Sequence, residues 1–337
     1  MLADYIPKAY IPAVECPHHV PFLILVKPSV LSYCNLMRLP DWIRSETKLR
    51  RHRNFEGIRS TKRMLRQHRL LSVCEEAKCP NRELCFSKPT ATFMILGDIC
   101  TRNCAFCAVK SGIPSAVNSA EPDLIADAAQ EMGLKYVVIT SVTRDDLPDG
   151  GAAHFACMIR TLRLRLPEAR VEVLVPDFRG DAAALEAVIG AGPDVFNHNM
   201  ETVKRLYPTV RPQAGYARSL DILRKAKEIE PGTRTKSGFM LGLGETDDEV
   251  LQLLGDLRAA GCDSLTIGQY LRPAKKNLPV VEYITPRAFE DLGTKALGMG
   301  FSFVASGPLV RSSMNAAEMY YRDGTSRNSV VRRQNYV

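Results

Sequence analysis

From Ala91 onward, short apolar runs alternate with segments whose apolar residues recur every three or four positions. ATFMILGD (91–98) is the first run and is read as a strand ending at a glycine. YVVITS (136–141), VEVLV (171–175) and the stretches 195–199, 235–243, 264–270 and 301–305 repeat the signal. Their β-branched content suits a pleated, buried surface. Between them, 122–133, 154–166, 182–189, 216–229, 247–260 and 286–299 read as helices. Strand–helix alternation at this spacing predicts a parallel sheet with helices outside. About six such units suit an α/β fold of the partial (β/α)6 TIM-like barrel type. A doubly wound open sheet is the alternative, and either fold places its ligand site at the C-terminal ends of the strands.

Upstream, 54–71 holds helix formers and an imperfect i, i+3/i+4 apolar pattern, which predicts a helix. That helix is basic. Thirteen Lys and Arg against five Asp and Glu fall before Leu70, so this stretch carries the whole net charge of +8. Lys48, Arg50, Arg51, Arg53, Arg59, Lys62, Arg63, Arg66 and Arg69 supply most of it. A positive flank attracts an acidic protein or an anionic surface, and it can equally be a solvated helical face. No aromatic interleaving or groove-reading motif accompanies it, so no nucleic acid partner is expected. Near the start, FLILV (22–26) is too short to span a membrane. Prolines, Asp4 and Glu15 make the stretch a poor signal or transit peptide, so 1–38 is an unassigned, disordered extension.

Ten cysteines change the picture, because six fall within 74–107 in two triplets. Clustering without a secretory signal reads as metal or redox chemistry in a reducing compartment. Cys16, Cys34, Cys157 and Cys262 stand apart and read as incidental thiols. The second triplet, Cys100, Cys104 and Cys107 in CTRNCAFC, follows the first strand directly. Its spacing wraps three corners of a four-iron cubane and leaves one iron open. An open iron can chelate an amine and a carboxylate, as S-adenosylmethionine offers, and pass an electron to its sulfonium. Phe106 then either rests against the adenine or packs in the core. A zinc site needs a fourth ligand, which would have to come from far away. The first triplet, Cys74, Cys79 and Cys85 in CEEAKCPNRELC, matches no common zinc or ferredoxin spacing and reads as a second cluster.

Polar residues also gather at the predicted strand ends. Thr140, Ser141, Arg144, Asn197, Asn199, Lys236, Gly242 and Glu245 are expected to shape a pocket for S-adenosylmethionine.

The chain resembles lipoyl synthases of the radical S-adenosylmethionine superfamily. The motifs are CEEAKCPN, KPTATFMILGDICTRNCAFC, YVVITSVTRDDLPDGGA, LVPDFRG, PDVFNHNMETV, KSGFMLGLGET, GQYLRP and SGPLVRSSM. They run from about residue 40 to 315; the first 37 residues are unlike the family. The resemblance implies that Cys100, Cys104 and Cys107 hold the cluster that binds S-adenosylmethionine. It implies that Cys74, Cys79 and Cys85 hold an auxiliary 4Fe-4S cluster. A serine of an Arg-Ser-Ser-Tyr motif completes that ligand set in the family. Here the motif is Arg311-Ser312-Ser313-Met314, which puts the ligand at Ser313, with Ser312 the lesser candidate. Met314 departs from the family tyrosine and bears on how the serine is packed. A hard alkoxide on a soft metal–sulfur site is easily displaced, which suits a cluster taken apart for its sulfur.

The resemblance further implies insertion of two sulfur atoms at carbons 6 and 8 of a protein-bound octanoyl group, with the auxiliary cluster as sulfur donor. Another two-cluster radical sulfur-insertion enzyme is the alternative. Implied partners are octanoylated carrier domains (2-oxoacid dehydrogenase E2 and glycine cleavage H protein), reduced ferredoxin or flavodoxin, and an iron–sulfur carrier that rebuilds the cluster. A cytoplasmic location is expected, or the mitochondrial matrix or plastid in a eukaryote. The expected division is 1–38 extension, 39–90 basic helix and auxiliary segment, 91–310 barrel, and 311–337 serine-bearing C-terminal segment.

Overall fold

The computed structural model describes residues 39–49, 54–88 and 90–322. The expected extension 1–38, Cys16, Cys34, the side chain of Lys48, and Arg50, Arg51 and Arg53 lie outside those residues. Ten strands are present among them: β1 (Leu71–Ser72), β2 (Thr92–Ile95), β3 (Ile99–Cys100), β4 (Lys110–Ser111), β5 (Tyr136–Ser141), β6 (Arg170–Leu174), β7 (Val195–Asn197), β8 (Arg234–Leu241), β9 (Ser264–Gln269) and β10 (Phe303–Ser306). The main sheet has the order β1-β2-β5-β6-β7-β8-β9-β10. From β2 to β10 every pairing is parallel, while β1 runs antiparallel to β2.

Each main strand pairs with the next one in the chain, so the order never reverses as a doubly wound sheet requires. Six helices intervene: Glu121–Glu131, Ala152–Arg165, Ala182–Ile189, Tyr216–Ile229, Asp247–Ala259 and Pro286–Gly298. The first four pack side by side in sequence order, as one outer layer does. The result is six β/α units and a seventh parallel strand, an open barrel whose sheet edges are β1 and β10.

The strand alternation sorts the two faces. Phe93, Ile95, Val137, Ile139, Val171, Val173, Phe196, Leu265, Ile267 and Val304 enter the hydrophobic core beneath the helices. The intervening positions carry Thr92, Thr140, Glu172, Asn197, Lys236 and Thr266 beside Met94, Val138, Val195, Phe303 and Ala305, all buried. The inner face thus carries polar and apolar side chains together.

Around this frame sit pieces too short for periodicity to reveal. The segment holding the first triplet folds as β1 and two brief helices, Val73–Glu76 and Arg82–Phe86. The basic helix Phe55–Gln67 lies over them, burying Ile58, Thr61, Met64 and Leu65. The Thr61 hydroxyl donates to the Phe86 carbonyl at 3.0 Å. At the other end of the chain, the helix Ala316–Arg322 sits at the N-terminal mouth of the barrel. The Tyr320 ring stacks 4.3 Å from the Arg234 guanidinium and 5.8 Å from the Tyr136 ring. Arg234 also donates to the Tyr320 carbonyl at 2.8 Å.

Candidate functional site

The second triplet occupies a loop clasped at its base, where β3 pairs with β4 beyond the C-terminal end of β2. Its backbone is pinned on every side. The Thr101 amide and hydroxyl both donate to the Thr143 carbonyl at 3.0 Å. The Ala105 amide donates to Val210 at 2.9 Å, and the Asn277 amide group donates to the carbonyls of Ala105 and Cys107 at 3.1 and 2.8 Å. Beneath the loop, Arg102 is buried and forks onto Asp145 at 2.6 and 2.9 Å and onto Asp177 at 2.6 Å. Burial alone would raise the Asp177 carboxyl, but the Arg102 guanidinium holds it down at about 2.

The three thiols are near enough that Cys100 and Cys104 both act on Cys107 electrostatically. The Cys100 sulfur accepts backbone N–H groups of Thr143 at 3.3 Å and Arg102 at 3.4 Å. Burial pushes the Cys104 thiol up, and Cys107 is pushed up to about 12. Thiols desolvated in this way are poor free nucleophiles and become thiolates when a metal takes the proton's place. Among the described residues no three His, Cys, Asp or Glu side chains converge as on a single ion. A cubane, by contrast, takes one thiolate at each of several corners.

The first triplet lies along the β1–β2 edge. Cys74 is buried, with Cys79 and Cys85 half-buried. Burial raises the Cys74 thiol, and the neighbouring Thr92 and Ser72 act against that rise. The Thr92 hydroxyl also lies 2.8 Å from the Ser313 hydroxyl, to which it donates. Thr92 therefore joins the first triplet to the serine 221 positions away. The amide of Asn81, between Cys79 and Cys85, donates to the Leu309 carbonyl at 2.6 Å and to the Met314 sulfur at 3.3 Å. Met314, where the family carries tyrosine, thus still contacts the cysteine loop. Cys79 acts on Cys74 electrostatically and Thr92 bonds Ser313, and with Cys85 on the same short segment these residues supply the donor types a four-iron cluster with one oxygen ligand takes.

Of the predicted pocket residues, Asn197 and Asn199 meet Ser312: the Asn197 amide donates to its hydroxyl, which donates to the Asn199 carbonyl oxygen, both at 3.0 Å. Lys236 is buried in an ion pair with Glu172 at 2.9 Å. Arg144 forks onto Asp146 and donates to the Leu96 carbonyl, tying down the end of β2. The Thr140 hydroxyl donates to the Leu174 carbonyl at 3.0 Å, and Ser141 follows the helix-facing series of Val137 and Ile139. Glu245 accepts the amides of Gly242 and Leu243. Gly242 has φ +101°, and a Cβ there would strike Gln269 and the Glu282 backbone. Phe106 packs against the cluster of Val210, Leu243 and Tyr270.

Sequence reasoning passed over Thr92, Asn81, Arg102, Glu201 and Arg211. Glu201 receives a bond from Asn199 at 3.0 Å, and both Glu201 and Arg211 act on Cys104. Burial pushes the Glu201 carboxyl up. Thr92, Asn81, Arg102 and Glu201 all lie inside the quoted motifs, which mark their positions but not their partners.

The profile of the radical SAM superfamily matches residues 94–257. A lipoyl synthase of Caldicellulosiruptor bescii is 54% identical over 280 residues, covering 83% of this chain and 94% of the relative. A lipoyl synthase of Syntrophotalea carbinolica is 56% identical over 278 residues, covering 82% and 88%. Among solved structures, the hydrogenase maturase HydG superposes with a TM-score of 0.50 at 16% identity, covering 63% of this chain and 50% of that chain. Streptococcus suis SuiB bound to S-adenosylmethionine does so with a TM-score of 0.50 at 10% identity, covering 66% and 53%. These two establish the likeness of fold. The chain belongs to the lipoyl synthase family, radical sulfurtransferases that work with four-iron clusters and S-adenosylmethionine.

Proposed function

We propose that Cys100, Cys104 and Cys107 hold the cluster that binds S-adenosylmethionine, and that Cys74, Cys79, Cys85 and Ser313 hold the sacrificial one. When bound, the first group supplies a carbon-centred oxidant strong enough to take hydrogen from carbons 6 and 8 of an octanoyl chain. The second is a substrate and gives up two sulfur atoms to those carbons. The observation that carries the assignment is the 2.8 Å hydrogen bond from Thr92, a residue that also acts on the Cys74 thiol, to Ser313.

The chain's own task is placement. Thr143, Arg102, Val210 and Asn277 fix the loop bearing Cys100, Cys104 and Cys107, so that the reacting groups meet in one geometry. Glu201, which acts on Cys104, and Asn199, which bonds Glu201, are assigned with Phe106 to S-adenosylmethionine. Thr140, Ser141, Arg144, Asn197, Lys236, Gly242 and Glu245 are assigned to shaping and bracing that pocket. Residues 91–310 form the catalytic barrel, 39–90 the auxiliary segment and 311–337 the serine-bearing tail. Octanoylated E2 and H-protein domains are the proposed substrates, reduced ferredoxin or flavodoxin the reductant, and an iron–sulfur carrier the source of new cluster, in a cytoplasmic setting. No helix among the described residues is long and apolar enough to cross a membrane.

Anaerobic reconstitution with S-adenosylmethionine, reductant and an octanoylated peptide tests the reading. About eight irons, deoxyadenosine and a dithiolane product are expected. Ser313→Ala should abolish sulfur insertion and leave deoxyadenosine formation. Unchanged sulfur insertion in that variant would remove Ser313 from the ligand set.

A further inference from the structure

We infer that Ser312 is a positioning residue, a latch that holds the serine loop to β7 while its neighbour Ser313 faces the first cysteine triplet. The inference rests on the proposed role of Ser313 as the displaceable ligand. Adjacent side chains of this loop point apart. Ser313 meets Thr92 on β2, whereas Ser312 meets Asn197 and Asn199 on and just beyond β7. Three strand spacings separate β2 from β7 around the sheet, about 14 Å of arc. The pair of serines therefore bridges two walls of the barrel.

The anchor is the rigid side of that bridge. The Ser312 hydroxyl accepts from Asn197 and donates to Asn199, both at 3.0 Å, which uses its single proton and fixes its rotor. Asn197 is held in turn by Glu172 at 3.0 Å. Glu172 accepts from the Tyr136 hydroxyl at 2.7 Å and from Lys236 at 2.9 Å. Glu172, Asn197 and Lys236 are each no more than 1% exposed, so these bonds do not compete with water. A ligand that must leave iron and return needs a tether that stays in place when its own bond breaks. Ser312 provides that tether, and the buried Lys236–Glu172–Asn197 chain is what it is tied to.

The test uses the full chain with Cys100, Cys104 and Cys107 all replaced by alanine, so that only the auxiliary group contributes a spectrum. Ser312→Ala, Ser312→Thr and Ser312→Val are compared with Ser313→Ala. Thr retains the hydroxyl and Val matches its volume without one, so the pair decides the matter if Ser312→Ala folds poorly. In cluster-free protein, amide exchange at 309–314 is expected to rise about tenfold in Ala and Val and to stay near wild type in Thr. In loaded protein, Ala and Val should lose iron to a chelator several-fold faster while keeping the Mössbauer signature of an oxygen-ligated iron. Ser313→Ala should lose that signature. Unchanged exchange and iron release in Ala and Val would overturn the latch. So would loss of the oxygen-ligated signature in Ser312→Ala with Ser313→Ala unaffected, because Ser312 would then be the ligand. If wild type forms no four-iron group in this background, the proposed function fails, and the exchange measurement alone still decides the latch.

Discussion

His198 lies between the two asparagines that grip Ser312 and is 1% exposed. Its Nδ1 lies 2.8 Å from the Val175 carbonyl, which fixes the tautomer with the proton on Nδ1. Burial lowers its pKa to about 4, with Arg211 adding to the effect. The unfolded chain binds a proton at this residue near pH 6.5 and the folded chain does not. The stability this histidine contributes is therefore present above about pH 6.5 and is lost as pH falls toward 4. The full change is on the order of 3 kcal/mol. Denaturant unfolding of cluster-free protein should show that slope, and His198→Gln should flatten it between pH 6.5 and 4. An identical slope in the variant would assign the acid sensitivity elsewhere. At this scale the six cysteines stand out as candidate ligands because ligand spacing is local. Thr92 and Asn81 do not, since their partners stand 221 and 228 positions away and leave no trace in neighbouring residues.

Among the elements, Phe55–Gln67 separates its faces most sharply. Ile58, Thr61, Met64 and Leu65 are buried, while Arg59, Arg63 and Arg66 are exposed, with Lys62 beside them. The four cations fall at i, i+3, i+4 and i+7, one stripe along the helix. They flank the segment carrying the first triplet, so docking of an acidic carrier domain on this stripe, against a merely solvated face, is open to a direct test. Replacing Arg59, Lys62 and Arg63 by glutamate should slow turnover on the carrier domain about tenfold at low salt and leave turnover on a short octanoyl-lysine peptide unchanged. Equal effects on both substrates would refute docking. The strands and long helices were readable because each buries one face and advertises its period. The helix expected over 54–71 stops at Gln67, where the chain turns through His68 and Arg69 (φ +54°) into β1. Two-residue strands such as β1, β3 and β4, and helices of four or five residues, show less than one period. Only tertiary pairing defines them.

At the scale of the molecule, the sheet does not close on itself, and β1 and β10 are left as edges. The gap is spanned by the cysteine segment. Asn81 reaches from that segment to Leu309 and Met314, which follow β10. Asn81→Ala leaves the buried Leu309 carbonyl without that donor, at a cost of about 1–3 kcal/mol. Amide exchange should rise together in 73–88 and 307–315 and stay unchanged in 216–259. A rise on one side alone would mean the two edges are not joined there. The barrel class was legible from strand–helix alternation. Its open flank and what fills it were not, because closure depends on contacts between the two ends of the sheet.

That flank carries a consequence for the life of the enzyme. On the proposed ligand set, a group held by Cys74, Cys79, Cys85 and Ser313 would tie the two sides of that flank a second time, and spending it would remove that tie. Cluster-loaded and cluster-free molecules are therefore expected to differ in stiffness along one side, between 73–88 and 307–315. A repair factor that grips loosened chain would single out exhausted molecules by touch, without having to sense iron.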